Sequence, residues 1–458
     1  MISKASFTRL LSLLSLSALL LSPGATALRA GAPPEKDPAA KDGSKESNSS
    51  PKAPSAEERI GTLEETIRVL EARLKELEAR GTKVETEPAA AKPAPAAEVK
   101  PEAAATATEP PKADAPPPVG NRQSFFDKVE FSGFADTYYG YNFNRPASRK
   151  NGLRNFDFNH NQFSLNLLEF AMEKKAEPVG FRFDLNFGDT AKWVHLAEPG
   201  GTDVYQYVQQ AYFSYKAPVG KGLTIDFGKF VTQHGAEVIE SKDNWNYSRS
   251  ILFAWAIPYY HFGTRLTYPL HEKLTVAGYV VNGWNDVVDN NSGKTFGFQA
   301  VVKPASRLTI VQNYMVRKEQ PNNVLDRRHL IDTTVTLAVT PSFSLMANYD
   351  YGMDRLLGER VRWQGIAGYA RFQVTPVFAI APRFEWYDDP HGFTTGLGQT
   401  LKEATLTTEF KLRGSILARA EYRRDWSDLP FFEKRTGPLS KNQTTATLAL
   451  IYVLGQEP

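Results

Sequence analysis

Phe181-Arg-Phe-Asp-Leu-Asn-Phe187 alternates apolar and polar side chains without a break. Successive side chains of a β-strand point to opposite faces, so this stretch predicts one apolar and one polar face. The period returns in Phe378-Ala-Ile-Ala-Pro-Arg-Phe-Glu-Trp386, where Arg383 and Glu385 share the face opposite Phe384. It recurs at 223–228, 331–339, 343–351, 404–410 and 446–452. Working outward from these segments, the chain from Val129 to Leu454 reads as about sixteen strands. Their connections are expected to alternate strictly. Short links fall at 175–178, 269–273, 304–307 and 340–342, and long ones at 143–160, 189–203, 231–258, 388–400 and 426–441. Tight turns at one end and long loops at the other characterise an antiparallel outer-membrane barrel.

A soluble sandwich or propeller also alternates, so the cover of the apolar face decides. No amphipathic helical pattern lies between Val129 and Leu454, and many strands reach the length of about ten residues that a tilted strand needs to cross a bilayer. Lipid is the simplest cover. Aromatic residues near predicted strand ends, Tyr138, Tyr139, Tyr141, Tyr259, Tyr260, Trp284, Tyr349, Tyr351, Trp386 and Tyr387, read as interfacial girdles. Closure into a barrel removes the exposed sheet edges.

The N-terminal third reads differently. Lys4 and Arg9, the apolar run Leu10 to Leu21 and the small residues Ala25 and Ala27 predict a signal peptide over 1–27, hence export through the periplasm after cleavage. Residues 28–54, rich in Lys, Glu, Ser, Pro and Ala, predict a disordered linker. Over 55–81, Ser55 and Glu58 form a capping box, and Ile60, Leu63, Ile67, Leu70, Leu74 and Leu77 follow heptad a and d spacing. That pattern predicts a parallel coiled coil that assembles a homotrimer or reaches toward the cell wall. A Pro/Ala-rich spacer over 82–122 separates it from the barrel, 123–458. Without cysteine there is neither a lipidated N-terminal cysteine nor a disulfide framework.

Removing Lys4 and Arg9 from the whole-chain count leaves 52 basic against 51 acidic residues, a balance that argues against nucleic acid as a partner. Catalytic and metal motifs also read as decoys. Gly293-Lys294-Thr295 has Val288 where a phosphate loop needs its first glycine, and a calcium loop starting at Asp289 would end on Ala300. No metal, cofactor or enzymatic activity is expected. A barrel-rim hydrolase, a minor alternative, would draw on His195, His234 or His391 in predicted loops.

Charged side chains at alternate strand positions are tolerable only facing water, because a basic residue on the lipid face costs about 2–4 kcal/mol at mid-membrane. Arg182, Arg265, Arg383, Arg419 and Arg423 therefore predict a wet lumen, which a barrel of about sixteen strands is wide enough to hold. The third long connection carries Glu237, Glu240, Asp243 and Arg249. It is expected to fold inward as a pore constriction, with its acids facing arginines of the opposite wall.

Gln210-Ala-Tyr212, Gly222-Leu-Thr-Ile-Asp-Phe-Gly-Lys-Phe230, Gly235-Ala-Glu-Val-Ile-Glu240, Asn246-Tyr-Ser-Arg249, Asn282-Gly-Trp284 and Arg383-Phe-Glu385 with Asp389 resemble the OmpL-like β-barrel porin family. The resemblance spans 129–454 and implies passive outer-membrane diffusion of small hydrophilic solutes or ions in a Gram-negative cell. It brings no catalytic residues. The chain departs from the usual aromatic terminus of such barrels, since Val-Leu-Gly-Gln-Glu-Pro458 follows Tyr452. The rival reading is a structural anchor whose barrel merely holds the coiled-coil stalk.

Overall fold

The computed structural model describes residues 128–317, 319, 327–356, 358–413 and 415–454. The signal peptide, both linkers and the coiled coil expected over 1–122 lie outside the described residues. The remainder forms strands β1 (Glu130–Asn142), β2 (Gln162–Lys174), β3 (Val179–Phe187), β4 (Val208–Ala217), β5 (Leu223–Val231), β6 (Tyr260–His271), β7 (Leu274–Val281) and β8 (Thr295–Ala305). These are followed by β9 (Leu308–Arg317), β10 (Arg328–Thr340), β11 (Phe343–Leu356), β12 (Glu359–Thr375), β13 (Phe378–Asp389), β14 (Gln399–Leu412), β15 (Ile416–Ser427) and β16 (Asn442–Leu454). Each strand pairs with its chain neighbours, and β1 closes on β16 from Gly133 opposite Leu454 to Asn142 opposite Thr445. Sixteen antiparallel strands thus make a closed barrel with no free edge.

The barrel inverts a soluble core. On β16, Leu448 and Leu450 are 63% and 55% exposed, while Thr447, Ala449 and Ile451 between and beside them are buried. Phe384 and Phe410 likewise point outward, and Arg383, Glu385 and Glu409 inward. Apolar outside and polar inside is the arrangement lipid demands. Among the described residues no helix is long and apolar enough to cross a membrane.

Two sequence expectations need correction. Several of the ten aromatics expected in a girdle are buried within the fold: Tyr138, Tyr259, Tyr260 and Tyr387. Tyr138 is enclosed, and its hydroxyl accepts from Asn159 N at 3.0 Å. The strict short-long alternation also breaks once. After β11 the connection is only 357–358, because β11 and β12 stay paired to Leu356 opposite Glu359 and rise as one tall hairpin. Gly358 closes that turn at φ 88°, a left-handed conformation open to glycine at little cost.

Candidate functional site

The connection from β5 to β6, residues 232–259, leaves the wall and crosses the barrel. It carries a short 3-10 turn (Ser241–Asp243) and a π-helical turn (Leu252–Ala256). In a closed ring of sixteen strands, β13 to β15 lie about eight strands from its roots, on the far wall. The loop reaches them. Its backbone donors would be orphaned inside the barrel, and inward side chains of the wall satisfy them.

Two carboxylates do much of this. Glu421 on β15 accepts from Tyr247 N at 2.7 Å and Ser248 N at 3.1 Å. Glu385 on β13 accepts from Ile251 N at 2.7 Å and Leu252 N at 2.5 Å. Arginines bind the carbonyls in turn. Arg419 donates to Ser241 O at 2.6 Å and Asn244 O at 2.7 Å, and Arg423 to Arg249 O at 2.5 Å. Arg383, fully buried, donates to Ser248 O at 2.6 Å and pairs with Glu237 at 2.8 Å and Glu403 at 2.7 Å. Further round the ring, Ala236 N donates to Asn348 Oδ1 at 3.0 Å, Trp363 Nε1 to Ala256 O at 3.0 Å, and Tyr247 OH to Asp136 at 3.0 Å. At Gly365 of β12 a Cβ would collide with Leu252, so the missing side chain lets the π turn seat against the wall.

Arg249 works inside the loop. It donates to Val238 O at 2.9 Å, Tyr247 O at 2.5 Å and Ile239 O, tying the two limbs together, and its guanidinium lies 4.6 Å from the Phe156 ring centre. Phe156 belongs to the first long connection, 143–161, which packs on the same loop: Trp255 Nε1 donates to Leu153 O at 3.2 Å. Arg154 of that connection pairs with Asp157 and, at 2.8 Å, with Asp425.

The three loop acids have separate surroundings. Glu237 is buried against Arg383 and also accepts from Ser250 N at 2.8 Å. Glu240 sits at the edge of burial; desolvation pushes its carboxyl above the ordinary range, and the negative charges of Asp184 and Asp243 add to the rise. Asp243 is the exposed one, at 54% of its side chain, and its ion partner is the adjacent Lys242 at 2.5 Å. Arg182 and Arg265 do not join this group. Arg182 pairs with Asp184 at 2.9 Å and Glu173 at 3.2 Å, and Arg265 with Asp226 at 2.8 Å, both along the wall and partly exposed.

Residues beyond those expected complete the site: Asp136, Asn246 and Tyr247, and the first long connection with Arg154 and Asn155. Asn246 Nδ2 donates to Ala381 O and Thr407 Oγ1, each at 2.8 Å. The sequence signal for Asp136 was inward parity, while Asn246 and Tyr247 stood in the resemblance stretch Asn246–Arg249, which does not reveal their contacts. Of the three loop histidines, His391 is exposed and accepts from Arg362 N at 3.4 Å, while the other two are buried among partners. Burial, and then Lys229, push the His195 imidazole down to about 3, so it is neutral. Its Nδ1 meets Ala191 O at 2.7 Å and its Nε2 the Lys229 amine at 2.5 Å. His234 Nδ1 meets Thr232 Oγ1 at 3.2 Å.

A polar lumen crossed by one wall-anchored loop matches a known family at sequence level. The profile described as Putative beta-barrel porin-2, OmpL-like, matches residues 128–454. The chain belongs to this porin family. The porin accordingly resides in the outer membrane and forms a channel for passive diffusion. It has no match among curated proteins. Solved structures similar to the porin include the outer membrane channel DcaP of Acinetobacter baumannii, at 12% identity and TM-score 0.48, covering 71% of this chain and 97% of that one. Another is the anion-selective porin from Comamonas acidovorans, at 10% identity and TM-score 0.49, covering 71% and 99%. A third is the trimer form of in-vitro folded OmpT from Vibrio cholerae, at 12% identity and TM-score 0.48, covering 71% and 98%.

Proposed function

We propose that this porin passes small hydrophilic solutes around the loop 232–259, and that the loop, held by Arg383, Arg419 and Arg423, is the narrowest part of the path. The reading rests on one observation, the backbone of the loop hydrogen-bonded to Glu385 and Glu421 on the wall opposite its roots. A loop pinned so fixes both the width of the lumen and the charges that border it. Replacing 237–250 by a short Gly-Ser linker should raise single-channel conductance several-fold in a planar bilayer; unchanged conductance overturns the reading. Asp243, half in water, is the acid most able to act on passing ions, so Asp243→Asn should shift the reversal potential toward anions, most visibly at low salt. Glu237, enclosed with Arg383, serves the loop's position instead. The porin is further proposed to work as a homotrimer, with the heptad positions Ile60 to Leu77 as one seam of assembly.

A further inference from the structure

On the periplasmic side of the loop lies a cavity of about 370 Å³. Its place follows from the strands: Lys411 and Leu417, which line it, flank the short 413–415 turn between β14 and β15. Short turns mark the periplasmic end. The floor is the 3-10 turn of the loop with Trp245, and the wall is built from Arg371, Glu409, Lys411 and Arg419. We propose that this cavity is a binding site for a small divalent oxyanion. The proposal rests on the loop reading above and adds a ligand to it.

The charges decide the class. Glu409 is clamped by two guanidiniums, Arg371 at 2.6 Å and Arg419 at 2.6 Å, so one carboxylate is set against two cations. Lys242 and Asp243 cancel each other at 2.5 Å. Lys411 continues the inward row of Glu409 two residues on and adds a second surplus positive charge. The cavity is thus lined by four cations and two carboxylates, an excess of two. Arg371 keeps 18% of its side chain exposed, enough to turn N–H groups toward a guest. Guanidinium groups present paired donors that match the oxygens of sulfate or phosphate geometrically, and ammonium adds a point charge. A cavity of this size at the mouth, bordered by fixed positive charge and a low-dielectric wall, concentrates such anions before the narrow passage.

The test uses the full-length porin in a planar bilayer, with chloride current recorded while potassium sulfate replaces chloride salt at constant ionic strength on the periplasmic side. Sulfate should reduce the current saturably. Lys411→Gln and Arg371→Gln should each raise the half-blocking concentration about tenfold, as expected for removing one charge a few ångströms from an anion at intermediate dielectric. Perchlorate, monovalent and of similar shape, should block at least about tenfold more weakly on the same Coulomb scaling. Equal block by sulfate and perchlorate, or half-block unmoved in both variants, overturns the site. These outcomes are distinct from failure of the loop reading, which appears as unaltered conductance on loop replacement. Heat-modifiable migration of each variant confirms that the barrel being recorded is folded.

Discussion

Replacing Arg383 by methionine tests the anchoring of the loop at its most buried point. The side chain is fully enclosed and serves Glu237 at 2.8 Å, Glu403 at 2.7 Å, Ser248 O at 2.6 Å and Ser248 Oγ at 3.1 Å. Methionine fills much of the volume but takes the ion-pair partner away from two buried carboxylates, Glu237 and Glu403. Removing one partner of a buried pair costs about 3–5 kcal/mol. The loss of the Glu237 and Ser248 contacts falls on the docked loop, while the ladder bonds of β13 to its neighbours are untouched. At about 1.4 kcal/mol per factor of ten, the docked-to-released ratio should drop by roughly two to three and a half decades. Arg419, Arg423, Glu385 and Glu421 still hold the loop, so the barrel should assemble and the loop should detach transiently. Single-channel recording should therefore show high-conductance excursions at least about a hundredfold more often than in the native porin. Arg383→Lys should fall between the two, since one ammonium cannot reproduce the guanidinium fork. A folded Arg383→Met barrel with native noise, native conductance and native protease resistance of the loop would refute the reasoning.

Three further outcomes are expected. Glu385→Gln keeps the shape but puts an amide N–H toward Ile251 N or Leu252 N, so loop docking should weaken by about 1–3 kcal/mol, read as faster proteolysis within 237–257; equal cleavage rates count against the capping role. Asp286, on the long loop after β7, has its pKa raised to about 8 by burial and by the nearby Glu319 carboxylate. Its native form holds a proton that the unfolded chain, with a value of about 3.9, releases, so the loop should lose stability as pH rises through that window and stay level above it. Tryptic cleavage at Lys294 should therefore accelerate toward pH 9 in the native porin relative to Asp286→Asn, and a constant ratio of the two rates speaks against it. Deleting 55–81 should reduce cross-linked trimers to smaller species; an unchanged cross-linking pattern would place trimer assembly in the barrel wall alone.

Period and connection length carried the architecture. Phe181 to Phe187 shows its two faces within seven residues, and the link at 341–342 is short in the sequence as in the fold. Such signals are local, because the pleat has a period of two and the bilayer fixes strand length. Inward parity also placed Arg383, Arg419, Arg423 and Glu385 on the lumen face. What the sequence left open was where charge meets charge. Glu237 and Arg383 are 146 positions apart, and Tyr247 and Glu421 174, so no spacing along the chain reveals that they touch. Tyr138, Tyr260 and Tyr387 sit near strand ends like girdle residues, yet folding buries them. The inward course of 232–259 was legible as a possibility of length and charge, whereas its anchoring arises only after closure brings β13 to β15 opposite β5 and β6. The sequence by itself determined a lipid-facing, water-lined barrel, because solvent sorts each side chain by its own polarity. The tertiary structure decided which charges are spent on holding the loop and which still face the solute, because that depends on the few ångströms between groups brought together across the lumen.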